Sequence, residues 1–239
     1  MSTSNYSHYR AWKVWQRETF GLCTLEQAVY FSEELRRSGI ESVAGKDVLE
    51  IGFGNGGFAT WAKNAGANYH GTEMIDELVV QGAAAGFSTY DARQPLEALV
   101  GKESVDLIVA FDVFEHLEMD TLLATLRSGC DALRPMGRII ARVPSGDSPF
   151  SRAIQHGDMT HHTTIGSSMV QQLAATAGLA VDCVREPAFP LWKLGIWVFL
   201  RRMLVAWVRA AIFGILRPAL MGGGRPVLTP NMVFVLVKL

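Results

Sequence analysis

The chain is predicted to be a doubly wound α/β protein: a mostly parallel sheet with helices on both faces, and an apolar helical insertion before the last strand. Three observations lead there. Strand-like and helix-like segments alternate from residue 46 to residue 185, the order that builds βαβ units. VDLIVAF (Val105–Phe111) is an unbroken apolar run, as expected of a strand buried on both faces. VLEIGFGNGGF (Val48–Phe58) passes from a strand into a turn with Gly52, Gly54, Gly56 and Gly57, then into a helix. Glycines at such a turn let a ligand lie against bare backbone, and the helix start aims unpaired N–H groups at it.

In chain order, residues 1–45 read as a helical arm or cap. Tyr6, Tyr9, Trp12, Trp15 and Phe20 give its first part an aromatic character. Thr24 to Gln27 matches a capping box, and the helix it starts runs to Gly39. The core, residues 46–189, holds strands at Asp47–Ile51, Asn68–Glu73, Phe87–Tyr90, Val105–Phe111, Arg138–Val143 and Leu179–Arg185. Helices are expected at Gly56–Ala65, Ile75–Ala85, Met119–Leu133 and Gly166–Gly178. Pro135 and Gly137 stop the third of these, and Ser145–Thr164 reads as a polar loop. Residues 190–224 form the insertion. Residues 225–239 return to the sheet as the seventh strand, NMVFVLVKL.

Composition narrows the function classes. A net charge of −1 over 239 residues gives no global field for nucleic acid. Cys23, Cys130 and Cys183 lack metal-ligand spacing and suit reduced thiols in a cytosolic protein. The first residues carry no apolar signal-peptide region. Mean hydropathy is +0.17, and its source is Pro190–Leu220. No uncharged run there approaches the roughly 18–20 residues of a bilayer span. Arg201, Arg202, Arg209 and Arg217 fall on one side of a helix, beside a wide apolar face with Trp192, Trp197 and Trp207. That pattern fits a helix or helix pair lying in a membrane interface; a lid over an apolar substrate and a homodimer contact are the alternatives.

The glycine turn also fits GxGxxG, and Glu73 ends the next strand 21 residues after Gly52, which suits a ribose-binding acid. Glu50, inside the first strand, would repel a pyrophosphate and favour a cationic ligand. No separate substrate domain of dehydrogenase size follows.

Taken together, VLEIGFGNGGF, the acid in HGTEMID, Tyr90–Ala92, VDLIVAFDVFEHL and LRPMGRIIARVP resemble the class I S-adenosylmethionine-dependent methyltransferases. The resemblance spans about Val48 to Arg185 plus the last strand. EHL followed by LRPMG is similar to the subgroup of ubiquinone-type O-methyltransferases and polysaccharide-cluster methyltransferases. Met136 departs from it, where glycine is usual; the change should touch only a turn. The resemblance implies a Rossmann-like core with S-adenosyl-L-methionine as methyl donor. It also implies roles: Gly52, Gly54 and Gly56 for close backbone approach, and Glu50 for the methionine end. Glu73 would take the ribose hydroxyls, Asp91 and Ala92 the adenine, and Phe111 and Asp112 would line the methionine side.

Methyl transfer from a sulfonium is an in-line displacement, helped by alignment and, for a hydroxyl acceptor, by a base. His116, His161 and His162 are candidates, with His116 just past a strand's carboxyl end; Glu115 would orient His116 or meet the acceptor. Asp158, His161 and His162 lie close enough in sequence for a metal, but adjacent histidines point apart in extended chain, so no metal is expected. The leading expectation is O-methylation of a glycan, lipid-linked saccharide or isoprenoid-like acceptor, in the cytoplasm or at the inner face of a membrane. A cofactor-binding partner subunit without turnover and a nicotinamide-dependent oxidoreductase are the competing readings.

Overall fold

The computed structural model describes residues 17–220 and 226–239. Tyr6, Tyr9, Trp12 and Trp15 of the expected arm, and the Gly222–Gly224 return, lie outside the described residues. A 3-10 turn (Arg17–Thr19) leads to α1 (Leu25–Arg37), whose Thr24 and Gln27 form the expected capping box. The core follows as β1 (Asp47–Ile51), α2 (Gly57–Asn64), β2 (Asn68–Glu73), α3 (Asp76–Ala84), β3 (Ser88–Asp91), α4 (Leu96–Val100) and β4 (Val105–Phe111). Then come α5 (Met119–Ala132), β5 (Leu133–Pro144), α6 (Arg152–Gln155), α7 (Ser167–Ala177), β6 (Ala180–Arg185), α8 (Ile196–Leu220) and β7 (Asn231–Val237).

All seven strands join one sheet in the order β3-β2-β1-β4-β5-β7-β6. β7 is antiparallel to both β5 and β6, and the other pairs are parallel. Side chains alternate between the two faces, as strand geometry requires. Val48, Leu107, Val109 and Ile140 pack with Phe31 of α1 and Phe58 of α2. Leu49, Ile108, Ala110 and Ile139 pack on the other face with Leu122 of α5 and Val170 of α7. The chain order reverses between β1 and β4, and that opens a crevice at their carboxyl ends.

Several boundaries differ from expectation. β5 begins at Leu133, not Arg138: Leu133 pairs with Val105, the register shifts, and pairing resumes at Leu107 with Arg138. Pro135 ends the helix but is compatible with an irregular strand. Met136 sits there at φ +65° and donates its N–H to the Lys238 carbonyl at 2.8 Å, so its side chain occupies a conformation that favours glycine. The short helices α4 and α6 were not foreseen, and α6 interrupts the segment read as a polar loop.

Among its described residues the insertion contains one helix of 25 residues, α8, about 37 Å long at 1.5 Å per residue. Its arginine side is turned toward the domain rather than toward an external surface. Arg202 is buried, donates to the Pro190 carbonyl at 2.5 Å and pairs with Glu26. Arg209 lies 4.7 Å from the Phe189 ring centre, and Arg217 pairs with Glu186 at 3.1 Å. Arg201 alone of the four is exposed. The opposite side presents Trp197, Leu200, Leu204, Trp207 and Ile215 outward, with Trp197 at 81 % and Trp207 at 73 % exposure. No described helix is long and apolar enough to cross a membrane.

One buried ion pair fastens α1 to the far end of the sheet. The carboxylate of Glu34 pairs with Arg185 and accepts the Ala188 N–H at 2.6 Å, while Arg185 also donates to Ser38 Oγ at 2.7 Å. Removing one partner of a buried pair leaves the other charge uncompensated. Glu34→Ala should therefore cost about 3–5 kcal/mol, read as a lower urea midpoint at unchanged slope. An unchanged midpoint would show that α1 is held by packing alone.

Candidate active site

The crevice is a cavity of about 640 Å³. Gly52 comes from the end of β1, Glu73 from the end of β2, Ala92 from just past β3, Asp112 and His116 from beyond β4, and Thr125 from α5. The glycine turn is pinned from behind: the N–H groups of Gly52 and Phe53 donate to the Thr72 carbonyl at 2.8 and 3.1 Å. Gly52 has φ +69°, and a Cβ there would lie 2.7 Å from Val113 Cγ2. Both its backbone conformation and its neighbour require glycine.

Glu73 joins the turn to β2. One carboxylate oxygen accepts the Gly54 N–H at 3.0 Å. The other accepts the N–H groups of Met74 and Ile75 at 2.7 and 3.2 Å. Burial pushes the Glu73 pKa up, and the three backbone donors only partly offset this. Glu50 lies behind the turn and is not on the cavity wall. Its carboxyl accepts the Tyr69 hydroxyl at 2.6 Å. Burial, resisted by the Tyr69 hydrogen bond and reinforced by Glu73, pushes its pKa up to about 8. At neutral pH Glu50 therefore carries its proton, and the charge repulsion expected of it is absent until something cationic approaches.

Of the other expected cofactor residues, Ala92 and Asp112 border the cavity, whereas Gly54, Gly56, Asp91 and Phe111 do not. Gly56, at φ +73°, caps α2. Asp91 is turned to Arg93: the Arg93 backbone N–H at 2.9 Å and its guanidinium at 3.0 Å hold the Asp91 pKa below its ordinary value. The Ala92 N–H is donated to the Glu73 carbonyl at 3.0 Å, so it continues the β-ladder and is not aimed into the cavity. Phe111 stacks on Phe31 on the opposite sheet face.

Two features escaped the sequence reading. Asp112, at φ +59°, makes a two-pronged ion pair with Arg142 of β5, and the guanidinium lies 5.2 Å from the Tyr30 ring centre. Asp112 borders the main cavity, and Arg142 borders a second one of about 260 Å³ with Tyr30, Phe189 and Arg202. The other feature is the environment of His116. Its Nδ1 lies 2.9 Å from Thr160 Oγ1 and 3.2 Å from the Thr160 carbonyl. The Thr160 hydroxyl donates to Asp158 at 2.6 Å. His161 stands edge-on to His116, with ring centres 4.6 Å apart. His161 and His162 do point apart, and His162 faces Glu118 at 3.3 Å. The partner of His161 is thus His116, brought up by the fold. Of the three candidate bases, only His116 borders the cavity.

Comparison with known proteins agrees with this geometry. Residues 16–184 match the family described as methyltransferase domain. The chain belongs to that family. It is an S-adenosylmethionine-dependent methyltransferase, which sets the nicotinamide reading aside. No match is found among curated proteins. Among solved structures, the methyltransferase resembles a SAM-dependent methyltransferase from Archaeoglobus fulgidus at TM-score 0.64 and 17 % identity, over 98 % of this chain and 99 % of that one. It resembles magnesium protoporphyrin IX methyltransferase from Synechocystis, solved with bound S-adenosylhomocysteine, at TM-score 0.56 and 12 % identity over 99 % and 95 %. It resembles geranyl diphosphate C-methyltransferase from Streptomyces coelicolor at TM-score 0.57 and 10 % identity over 90 % and 80 %. These likenesses concern the fold.

The raised Glu50 pKa gives the methyltransferase a pH signature. An ordinary glutamate titrates near 4.5, and Glu50 in the folded chain at about 8. Between those values the unfolded chain has lost the proton that the folded chain keeps, so stability falls as pH rises. Glu50→Gln retains an acceptor for Tyr69 and lacks the titration. Its stability relative to the parent should rise by a few kcal/mol between about pH 5 and pH 8, measured by urea unfolding. A difference that stays constant across that range would mean that Glu50 ionises normally.

Proposed function

We propose that the methyltransferase acts on a hydroxyl oxygen of an amphiphilic acceptor (a glycan on a lipid carrier, or an isoprenoid-like compound) and that it does so at a membrane surface. The observation that carries this reading is α8. An outward face of Trp197, Leu200, Leu204, Trp207 and Ile215, with Arg202, Arg209 and Arg217 engaged on the inner side, is costly in water and favourable at an interface rich in apolar chains. Tryptophan suits the boundary between apolar and wet layers.

The bound sulfonium supplies the methyl group. In this reading Glu73 receives a ribose hydroxyl on the oxygen that accepts only the Gly54 N–H, since the other already accepts two backbone donors. The Gly52–Gly54 backbone passes close to the donor, and Glu50 and Asp112 stand on its methionine side. A cationic donor near Glu50 favours loss of the Glu50 proton, so binding and ionisation reinforce each other. The acceptor hydroxyl gives up its proton toward the Glu115–His116–Asp158–His161 group. The second cavity, lined by Arg142, Tyr30, Phe189 and Arg202 of α8, suits the polar part of the acceptor.

Glu73→Gln replaces an acceptor oxygen by a donor. It should weaken S-adenosylmethionine binding by roughly 10- to 100-fold, in line with about 1.5–3 kcal/mol for a hydrogen bond to a charged group, as read by calorimetric titration. Unchanged affinity would move the ribose elsewhere. The membrane reading has its own test. Replacing Trp197, Leu204 and Trp207 together by glutamate alters exposed positions only. The variant should keep its S-adenosylmethionine affinity and lose cosedimentation with phosphatidylglycerol-containing vesicles. Equal sedimentation of the variant and the parent would remove the membrane from the account.

A further inference from the structure

The second cavity is walled by charged and polar groups that the donor site does not use. Its volume is about 260 Å³, and its polar lining comes from Glu26, Gln27 and Tyr30 of α1, Arg142 of β5 and Arg202 of α8. Arg142 commits one edge of its guanidinium to Asp112: Nε donates to Oδ1 at 2.8 Å, and Nη2 reaches Oδ2. The other edge, formed by Nη1 and the second hydrogen of Nη2, has no carboxylate or carbonyl against it among the described residues. The rings of Tyr30 and Phe111, with centres 5.2 and 5.6 Å away, hold the guanidinium in place. The Tyr30 hydroxyl is buried near the Arg142 charge and meets no partner in good hydrogen-bonding geometry. Burial pushes its pKa up, so the hydroxyl keeps its hydrogen and is a donor. Arg202 gives one N–H to the Pro190 carbonyl at 2.5 Å and one to Glu26; its remaining N–H groups have no acceptor among the described residues. The Glu26 side chain stands at the rim at 66 % exposure, whereas Arg142 and Arg202 are 25 % and 10 % exposed. Asp112 borders the main cavity and not this one. Two cations therefore face the second cavity against the one carboxylate of Glu26.

We infer that the second cavity is an anion subsite, in which Arg142, Arg202 and Tyr30 hold a phosphoryl group of the methyl acceptor. The inference rests on the reading of this cavity as the place of the acceptor's polar part, and it names that part. Guanidinium groups recognise phosphate through paired N–H donors, and the existing ion pairs can stay in place, because each arginine binds through N–H groups that its carboxylate leaves over. A carboxylate is planar and is served by a single fork. Here the donors stand on three separate elements, α1, β5 and α8, and converge on one space, which suits a tetrahedral group. The place also serves the reaction. Asp112 borders the main cavity and its partner Arg142 the second, so a phosphoryl group on Arg142 is one ion pair away from the donor cavity. Binding a group remote from the reacting atoms helps to align them. The acceptor class is thus a phosphate ester, whose phosphoryl group belongs to a lipid carrier or to a sugar.

The test is equilibrium binding to the full chain saturated with S-adenosylhomocysteine, which fills the donor cavity and prevents turnover. Inorganic pyrophosphate is titrated by calorimetry, with acetate as the planar control. The expected result is saturable binding of one pyrophosphate per chain, about 10-fold or more tighter than acetate. Tyr30→Phe keeps the ring over Arg142 and removes only the hydroxyl. It should weaken pyrophosphate about 10-fold and leave the affinity for S-adenosylhomocysteine unchanged. Arg202→Gln and Arg142→Gln should each weaken pyrophosphate about 10- to 100-fold, and Arg142→Lys, which keeps the charge without the fork, should recover part of the loss. Glucose 1-phosphate and monomeric dodecyl phosphate separate the two sources: tighter binding of the first supports a sugar phosphate, and of the second a lipid phosphate. Absence of saturable pyrophosphate binding by the unaltered chain overturns the proposal whether or not any variant folds. So does equal affinity in Tyr30→Phe and Arg202→Gln, and so does acetate bound as tightly as pyrophosphate. None of these measurements uses turnover, so failure of the subsite leaves the O-methylation reading standing. A phosphoryl site on a chain that methylates no hydroxyl does the reverse.

Discussion

The Glu73 carboxylate is the constraint on which the centre depends. It is buried, costly to ionise, and compensated by three backbone N–H groups from two different loops. One of those groups belongs to the glycine turn after β1, and two belong to the chain leaving β2. A single side chain therefore sets the spacing of two adjacent strand ends and the depth of the cavity between them. The turn can accept this because Gly52 has no Cβ to meet Val113. Two alternating core faces hold β1 and β4 rigid beneath it, so the loops at their carboxyl ends carry chemistry on a fixed base.

Polarity in α8 runs opposite to that of an ordinary surface helix. Three of its four arginines are engaged on the inner side, by Glu26, Glu186 and the Phe189 ring, and much of its apolar surface is left outside. Ion pairs under a helix orient it, because rotating the helix would break the contacts of Arg202 with Glu26 and of Arg217 with Glu186. Arg202 of α8 and Arg142 of β5 line the same second cavity.

Much of this was legible in the sequence, for identifiable physical reasons. Buried parallel strands such as Val105–Phe111 leave unbroken apolar runs, and the glycine turn leaves a spacing. Both are local. Pro135 with Gly137 reads as a helix stop, which puts the start of the strand at Arg138. A proline in an irregular strand has the same local signature, and only the pairing of Leu133 with Val105 tells them apart. Helical periodicity gathers Arg202, Arg209 and Arg217 on one side but does not say which way that side faces. Long-range pairs were invisible. Arg142 within an apolar strand gives no hint of Asp112, and nothing near His161 in sequence announces His116.

The most direct measurement follows the methyl group itself. The chain would be incubated with methyl-labelled S-adenosylmethionine and a bacterial total-lipid extract, and the products partitioned and treated with alkali. The account requires label in an amphiphilic product, held in an alkali-stable methyl ether. Label confined to water-soluble products, or released by alkali as from an ester, would contradict it.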